Sequence, residues 1–203
     1  DTSSFNYTGF ERLKLDKQFK EQGHISNLLG QSEEQIKSFS IKDKFVGQVV
    51  VTPHCLPDFI SFIDRSISDS SLISGTSIYK NKVGEKIATE DFSLSSNPTD
   101  SRIDSGYFIT GDGYKARNVD IVKNGVLNTH LLTLYGAKKI NGKRVPNQGG
   151  SYIVKSGSES LESIIKNIDR GILLCRFSGG YPSDNGDFSG VAKNSYYIEG
   201  GEI

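Results

Sequence analysis

The apolar positions change period several times along the chain, and each change marks an element. In "VGQVVVTP", from Val46, a β-branched run is closed by Pro53; Leu56, Phe59, Ile60, Ile63 and Ile67 then recur at helical spacing, with Asp58 in the first turn. That pattern predicts a strand, a proline turn and an amphipathic helix. Further on, Val119 and Ile121 alternate up to Asn124-Gly125, after which Val126, Leu127, Leu131 and Leu132 follow. Asn-Gly between such runs predicts a hairpin, because both central residues of a type I′ turn need positive φ. The stretch "SYIVKSGSESLESIIKNIDRGILLCRFSGG" predicts strand, helix, strand: Leu161, Ile164, Ile165 and Ile168 share a face, Ser160 is the expected cap and Gly171 the expected stop. "NSYYIEGGEI" adds a strand and the opening of a hairpin at Gly200-Gly201.

The rest of the chain is less periodic. Its first thirty residues read as an extended segment leading into a short helix. The Ser-, Asn-, Asp- and Gly-rich segment 68–108 reads as a long connection holding short strands, with apolar islands at Leu72-Ile73 and at Phe92 and Leu94. Few short helices among many hairpins predict an α+β fold of curved, mainly antiparallel sheet. We expect residues 1–44 to be a variable lead-in and residues 45–203 to form one domain.

Composition narrows the function. Lysines and arginines together number 24, as do aspartates and glutamates, so no net field gathers nucleic acid or an anionic membrane. The apolar runs are far below the roughly 20 residues that cross a bilayer. Two distant cysteines, Cys55 and Cys175, argue against a disulfide framework or a thiolate zinc knuckle and suit a reducing cytoplasm. The chain contains no methionine and ends just after a Gly-Gly turn, so it reads as part of a longer polypeptide.

Several residues invite a chemical reading. His54 and Cys55 are adjacent, whereas metal sites built locally place ligands one helical turn apart; a turn histidine beside a buried thiol is the better expectation. His130 is expected in a hairpin strand and His24 in solvent, too scattered for a triad. Asp184, Asn185 and Asp187 surround Gly186, but turn chemistry outweighs a calcium loop there. "GDGYKAR" has glycines on both sides of Asp112 but precedes a strand, not the helix a phosphate cradle requires. The aromatics Phe177, Tyr181, Phe188, Tyr196 and Tyr197 lack the basic residues of a nucleic-acid platform. The sequon Asn6-Tyr7-Thr8 leaves a cell-surface calcium or glycan-binding module as a distant third reading.

The order "VVVTP" plus helix, "VGEKIA", "VDIVKNGVLNTHLLTLYGAKKI", "SGSESLESIIKNIDRGILLCRFSGG" and "GDFSGVAKNSYYIEGGEI" resembles the C-terminal region of the TldD/PmbA family of peptidase-related proteins, once described as modulators of DNA gyrase. The likeness runs from about Phe45 to Ile203, and its most specific pieces are Gly186-Asp187-Phe188-Ser189 and the "YIEGGEI" ending. It implies a bacterial or archaeal cytoplasmic protein that dimerises around a cavity, with an additional N-terminal α/β part. In the TldD branch, the helix after this strand carries HExxxH for zinc, completed by a cysteine near the C-terminus.

Laid on this chain without gaps, the three key positions of that motif are Ser61, Phe62 and Ser66, and Cys175 comes too early to match the cysteine. The resemblance therefore implies the zinc-less PmbA (TldE) branch: no catalytic residue, no metal and no cofactor in this chain, with zinc expected only in a TldD-like partner. The expected role is as one subunit of a metallopeptidase that cleaves flexible peptides in maturation or turnover; the alternative is a homodimeric peptide-binding protein without peptidase activity. Gly186, Asp187, Phe188 and Ser189 are the expected peptide-binding residues. The expected partners are the TldD-like subunit or a second copy, and an extended peptide.

Overall fold

The computed structural model describes residues 5–11, 14–179, 183 and 186–203. Along the chain run α1 (Ile25–Glu34), β1 (Gln48–Val51), α2 (Leu56–Ser66), α3 (Asp69–Ser74), β2 (Leu94–Ser96), β3 (Val119–Lys123), β4 (Val126–Leu127), α4 (Leu134–Ile140), β5 (Tyr152–Val154), α5 (Leu161–Lys166), β6 (Arg170–Leu174), β7 (Arg176–Gly179), β8 (Gly190–Lys193) and β9 (Tyr196–Glu199). They fall into two compact units, one of Asp1–Asp58, Glu159–Gly180 and Ser189–Ile203, the other of Phe59–Ser158 and Tyr181–Phe188. The architecture is α+β, and all strand pairs but one are antiparallel among the described residues.

In the first unit β6 is the middle of a three-stranded sheet in the order β1-β6-β9. The β1–β6 pair is parallel, in register from Gln48↔Gly171 to Val51↔Leu174, and β9 closes the other side antiparallel. Leu173 and Ile198 bury against Ile165 and Ile168 of the α5 segment. Ser160 caps α5 as expected, its hydroxyl accepting from the Ser163 amide at 3.1 Å. The helix nevertheless stops at Asn167 and not at Gly171, which lies inside β6. A side chain at Gly171 would press on the Gln48 carbonyl of the neighbouring strand, so the glycine serves the sheet, not the helix end. Gly200 and Gly201 form the expected turn, with φ of +57° and +81° and the Glu199 and Glu202 backbones bonded across it at 3.0 and 3.1 Å.

In the second unit the sheet order is β4-β3-β2-β5, and the Asn124-Gly125 turn joins β3 to β4 as expected. Leu94, Ile121, Val122 and Leu127 of its strands are fully buried. Two helices depart from the sequence reading. α3 lies inside the segment read as a connection, and α4 occupies what reads as a continuing hairpin. Thr133 caps α4, and Asp69 of α3 accepts both its amide (3.0 Å) and its hydroxyl (2.5 Å). Gly136 weakens the helical pattern of α4, yet Asp69 fills the space where any Cβ would stand, so only glycine fits. Leu72, Leu132 and Ala137 form the small core these helices share.

Among the described residues no helix is long and apolar enough to cross a membrane.

Candidate functional site on helix α2

Helix α2 is amphipathic and faces several environments at once. Ile60 is buried. Asp64 accepts a hydrogen bond from the hydroxyl of Tyr152 on β5. Phe59, Phe62, Ile63 and Ser66 line a cavity of about 280 Å³. Ser61 is exposed and lies outside that lining. So the positions that the resemblance assigns to the zinc motif do not act together: Phe62 and Ser66 are on the cavity wall, and Ser61 is not.

The far wall comes from the glycine-containing turn before β8. Gly186, at φ +89°, donates its amide to the Ser183 carbonyl (2.8 Å), and the Ser183 amide and hydroxyl both donate to the Asp187 carbonyl (2.8 and 3.1 Å). This turn delivers Phe188 to the helix. Its ring centroid lies 5.6 Å from Phe59, edge to face, and 5.9 Å from Phe62; Phe59 and Phe62 are themselves 6.1 Å apart, edge to face. Of the four residues expected to bind peptide, Gly186 and Phe188 line the cavity. Asp187 contributes its carbonyl to the turn, and Ser189 belongs to the other unit. Asp184 and Asn185 lie outside the described residues.

The sequence reading missed Ile78 and Tyr79, which complete the cavity from the serine-rich connection. It missed the aromatic role of Phe59 and Phe62 as well, although an i, i+3 phenylalanine pair on an amphipathic helix was a usable signal.

The other candidate residues sit elsewhere. His54 stacks on His24 at 4.2 Å, so His24 is not in open solvent; burial and the neighbouring imidazole both hold its pKa below the usual value. Cys55 and Cys175 are free and buried, and burial raises both thiols, Cys175 to about 11. His130 is not on a strand; its Nε2 lies 2.9 Å from the Tyr79 carbonyl. Asn6, the sequon asparagine, is engaged: its amide donates to Ser32 and its carbonyl accepts from Asn194, both at 2.6 Å. Asp112 receives Arg144, Thr110 and the Leu134 amide, so it anchors the start of α4 and cradles no phosphate.

A zinc ion fits poorly here. Phe62 has no donor atom, neutral serine hydroxyls are weak ligands, and no group of three histidine, cysteine or carboxylate side chains converges among the described residues.

Residues 45–203 match the model of the PmbA/TldA metallopeptidase C-terminal domain. The "Metalloprotease PmbA homolog" of Haemophilus influenzae is 28% identical over 71% of this chain and 33% of its own length; a "Metalloprotease" of Methanothermobacter thermautotrophicus is 30% identical over 76% and 37%. The chain thus spans about a third of the length of the curated relatives it matches. Among solved structures, TldE from Thermococcus kodakarensis superposes with a TM-score of 0.74 at 23% identity, covering 89% of this chain and 45% of that one. A protein from Bacteroides thetaiotaomicron, described as a candidate modulator of DNA gyrase, gives 0.76 at 25% identity, covering 90% and 41%. The chain therefore belongs to the PmbA/TldD metallopeptidase family, of which it carries the C-terminal domain.

Proposed function

We propose that the protein is a zinc-less, PmbA-like subunit that works in the cytoplasm beside a TldD-like, zinc-bearing subunit, handling extended peptides in maturation or turnover. One observation supports the reading: the ring of Phe62, which the resemblance laid without gaps sets at the glutamate position of the zinc motif, is packed against Phe188 in an aromatic wall. No proton or metal can be held at that atom set, so any zinc chemistry belongs to the partner. What this chain's own residues can do is bind and orient. The strands at the margins of its sheets, β1 and β9 in one unit and β5 in the other, are where a chain in extended form could add its backbone.

The test is zinc content by plasma mass spectrometry, with cleavage of a casein-like peptide followed in the same samples, for the protein alone and mixed with a TldD-like subunit. Metal and cleavage confined to the mixture are expected. Near-stoichiometric zinc and cleavage by the protein alone would sink the reading. Peptide binding by a homodimer, with no cleavage in any mixture, would replace it with a pure binding protein.

A further inference from the structure

We infer that the exposed face of α4, with the turn 108–117 beside it, is a docking surface for an acidic peptide segment that carries apolar residues between its carboxylates. The inference rests on the reading of the protein as a subunit that handles extended peptides, and it names the chemistry of the segment held.

Charge is unevenly placed along the chain. The whole sequence is neutral, yet from Gly113 to Val154 it holds one carboxylate, Asp120, against seven lysines and arginines. Asp120 lies 3.8 Å from Lys123. Asp69 and Asp112, which reach the start of α4, are taken up there: Asp69 accepts from the Thr133 amide and hydroxyl, and Asp112 from Arg144 and the Leu134 amide. By contrast, the side chains of Lys115, Arg117, Lys138 and Lys143 are exposed, and among the described residues none of them has an ion pair or a hydrogen bond. Lys139 stands over the Tyr135 ring, 5.5 Å from its centroid.

The fold gathers these groups. α4 buries Gly136 and Ala137 and exposes Leu134, Tyr135, Lys138 and Lys139, so apolar and cationic side chains share one helix face. After Asn141 the chain returns, and Arg144 reaches Asp112, whose carboxylate also takes the Leu134 amide at 2.9 Å. That contact holds the turn against α4 and brings with it Ile109, 66% exposed and paired across the turn with Lys115. Cations without counter-charge beside uncovered apolar side chains are complementary to a partner that offers carboxylates and apolar groups together.

Scale separates a peptide from a longer polyanion. Charges more than about 10 Å apart are largely screened at ordinary salt, so a short acidic segment meets only the local cations. A nucleic-acid tract extends across a neutral molecule and meets its carboxylates too, and the outer face of a seven-residue helix gives a phosphate backbone no groove to follow.

Fluorescence anisotropy on the protein alone tests this with dye-labelled peptides of one Leu/Phe pattern, whose intervening residues are Glu, Gln or Lys. The Glu peptide should bind about tenfold tighter than the Gln peptide at low salt and lose most of that margin at high salt, with the Lys peptide weakest. Lys138→Glu combined with Lys143→Glu should bring the Glu/Gln ratio close to one with the circular dichroism spectrum unchanged; if that variant fails to fold, Lys115→Glu is read in the same way. Tyr135→Ser should weaken the Glu and Gln peptides alike. Equal binding of the Glu and Gln peptides by the unaltered protein would overturn the inference, as would a Glu preference that survives the charge reversals. Tighter binding of a single-stranded oligonucleotide than of a Glu peptide of equal charge would also overturn it and assign the face to nucleic acid. The partner reading fails separately, through zinc and cleavage: a Glu preference in a protein whose mixture stays inactive keeps the surface and loses the partner.

Discussion

The hydroxyl of Tyr152 donates to Asp64, tying the last full turn of α2 to the first residue of β5. The pair sits where a side chain at Gly149 would strike both partners, so the backbone has been cleared to let them meet. Burial raises the Asp64 carboxyl above its ordinary range; the Tyr152 hydrogen bond and the Arg65 charge offset only part of that.

The sign of this shift sets a first prediction. An aspartate whose pKa is raised by folding binds more protons in the native state, so its contribution to stability falls as pH rises from the ordinary carboxylate value through the raised one. Asp64→Asn keeps an acceptor for Tyr152 without the charge. Its melting temperature should therefore gain on that of the unaltered protein as pH is raised from 4 to 7, read by calorimetry. A gap that stays constant across that range would show the carboxylate is solvated.

Asp112 behaves in the opposite way. Arg144 donates to both of its oxygens (3.0 and 3.3 Å), and Thr110 and the Leu134 amide add two further bonds, so its carboxyl is held well below the usual range, chiefly by Arg144. Here the native state binds fewer protons, and the stabilisation, present above the ordinary carboxylate pKa, disappears as pH falls below it. Asp112→Ala should cost about 2 kcal/mol in urea unfolding at pH 7 and much less near pH 2. The Arg144 guanidinium also lies 3.4 Å from the Tyr114 ring, so Arg144→Lys should not rescue the loss.

Asn147 is 2% exposed and uses its whole amide: it donates to the Ser96 and Arg117 carbonyls (3.1 and 2.9 Å) and accepts from the Gly149 amide (2.8 Å) and the Tyr107 hydroxyl (3.2 Å). Asn147→Ala would strand these groups in the interior, with an expected loss of about 3 kcal/mol in the urea midpoint analysis. Asn147→Asp should be no better, since it removes both donors and buries a charge.

Thiol reactivity gives a fourth prediction. Cys55 is 1% and Cys175 4% exposed, and burial raises both thiols. Labelling with a disulfide reagent at pH 8 should therefore be slow in the native protein and fast in urea, for both residues. Rapid native labelling of either would contradict the described packing.

Local chemistry was legible in the sequence wherever one short stretch fixed the outcome. Ser160 announced a helix start, Asn124-Gly125 and Gly200-Gly201 announced their turns, and the spacing from Leu56 to Ile67 announced α2. What escaped was set by contacts between distant segments. α4 depends on Asp69 of α3 accepting from Thr133, and neither residue signals the other in sequence. Gly171 resembled a helix stop because its real constraint, the Gln48 carbonyl, lies on a strand far earlier in the chain. The candidate site divides the same way. The family resemblance picked out Ser61, Phe62 and Ser66 and the Gly186–Ser189 stretch as candidates, but that Phe62 and Phe188 share a wall of which Ser61 is not part required the fold.

The parallel pairing of β1 with β6 bears on biosynthesis. Everything from Phe59 to Ser158 separates the strands, so a ribosome releases that whole insert before β6 exists. Val49 and Val50 must therefore wait for their β6 partners, Ile172 and Leu173, until the insert has emerged. Closing the gap afterwards costs little more for its length, because the entropy of loop closure grows only logarithmically. The β1–β6 pair can thus form only once residues up to Leu174 have emerged, and until then the valines of β1 are apolar surface that a chaperone, or another nascent copy, can reach first.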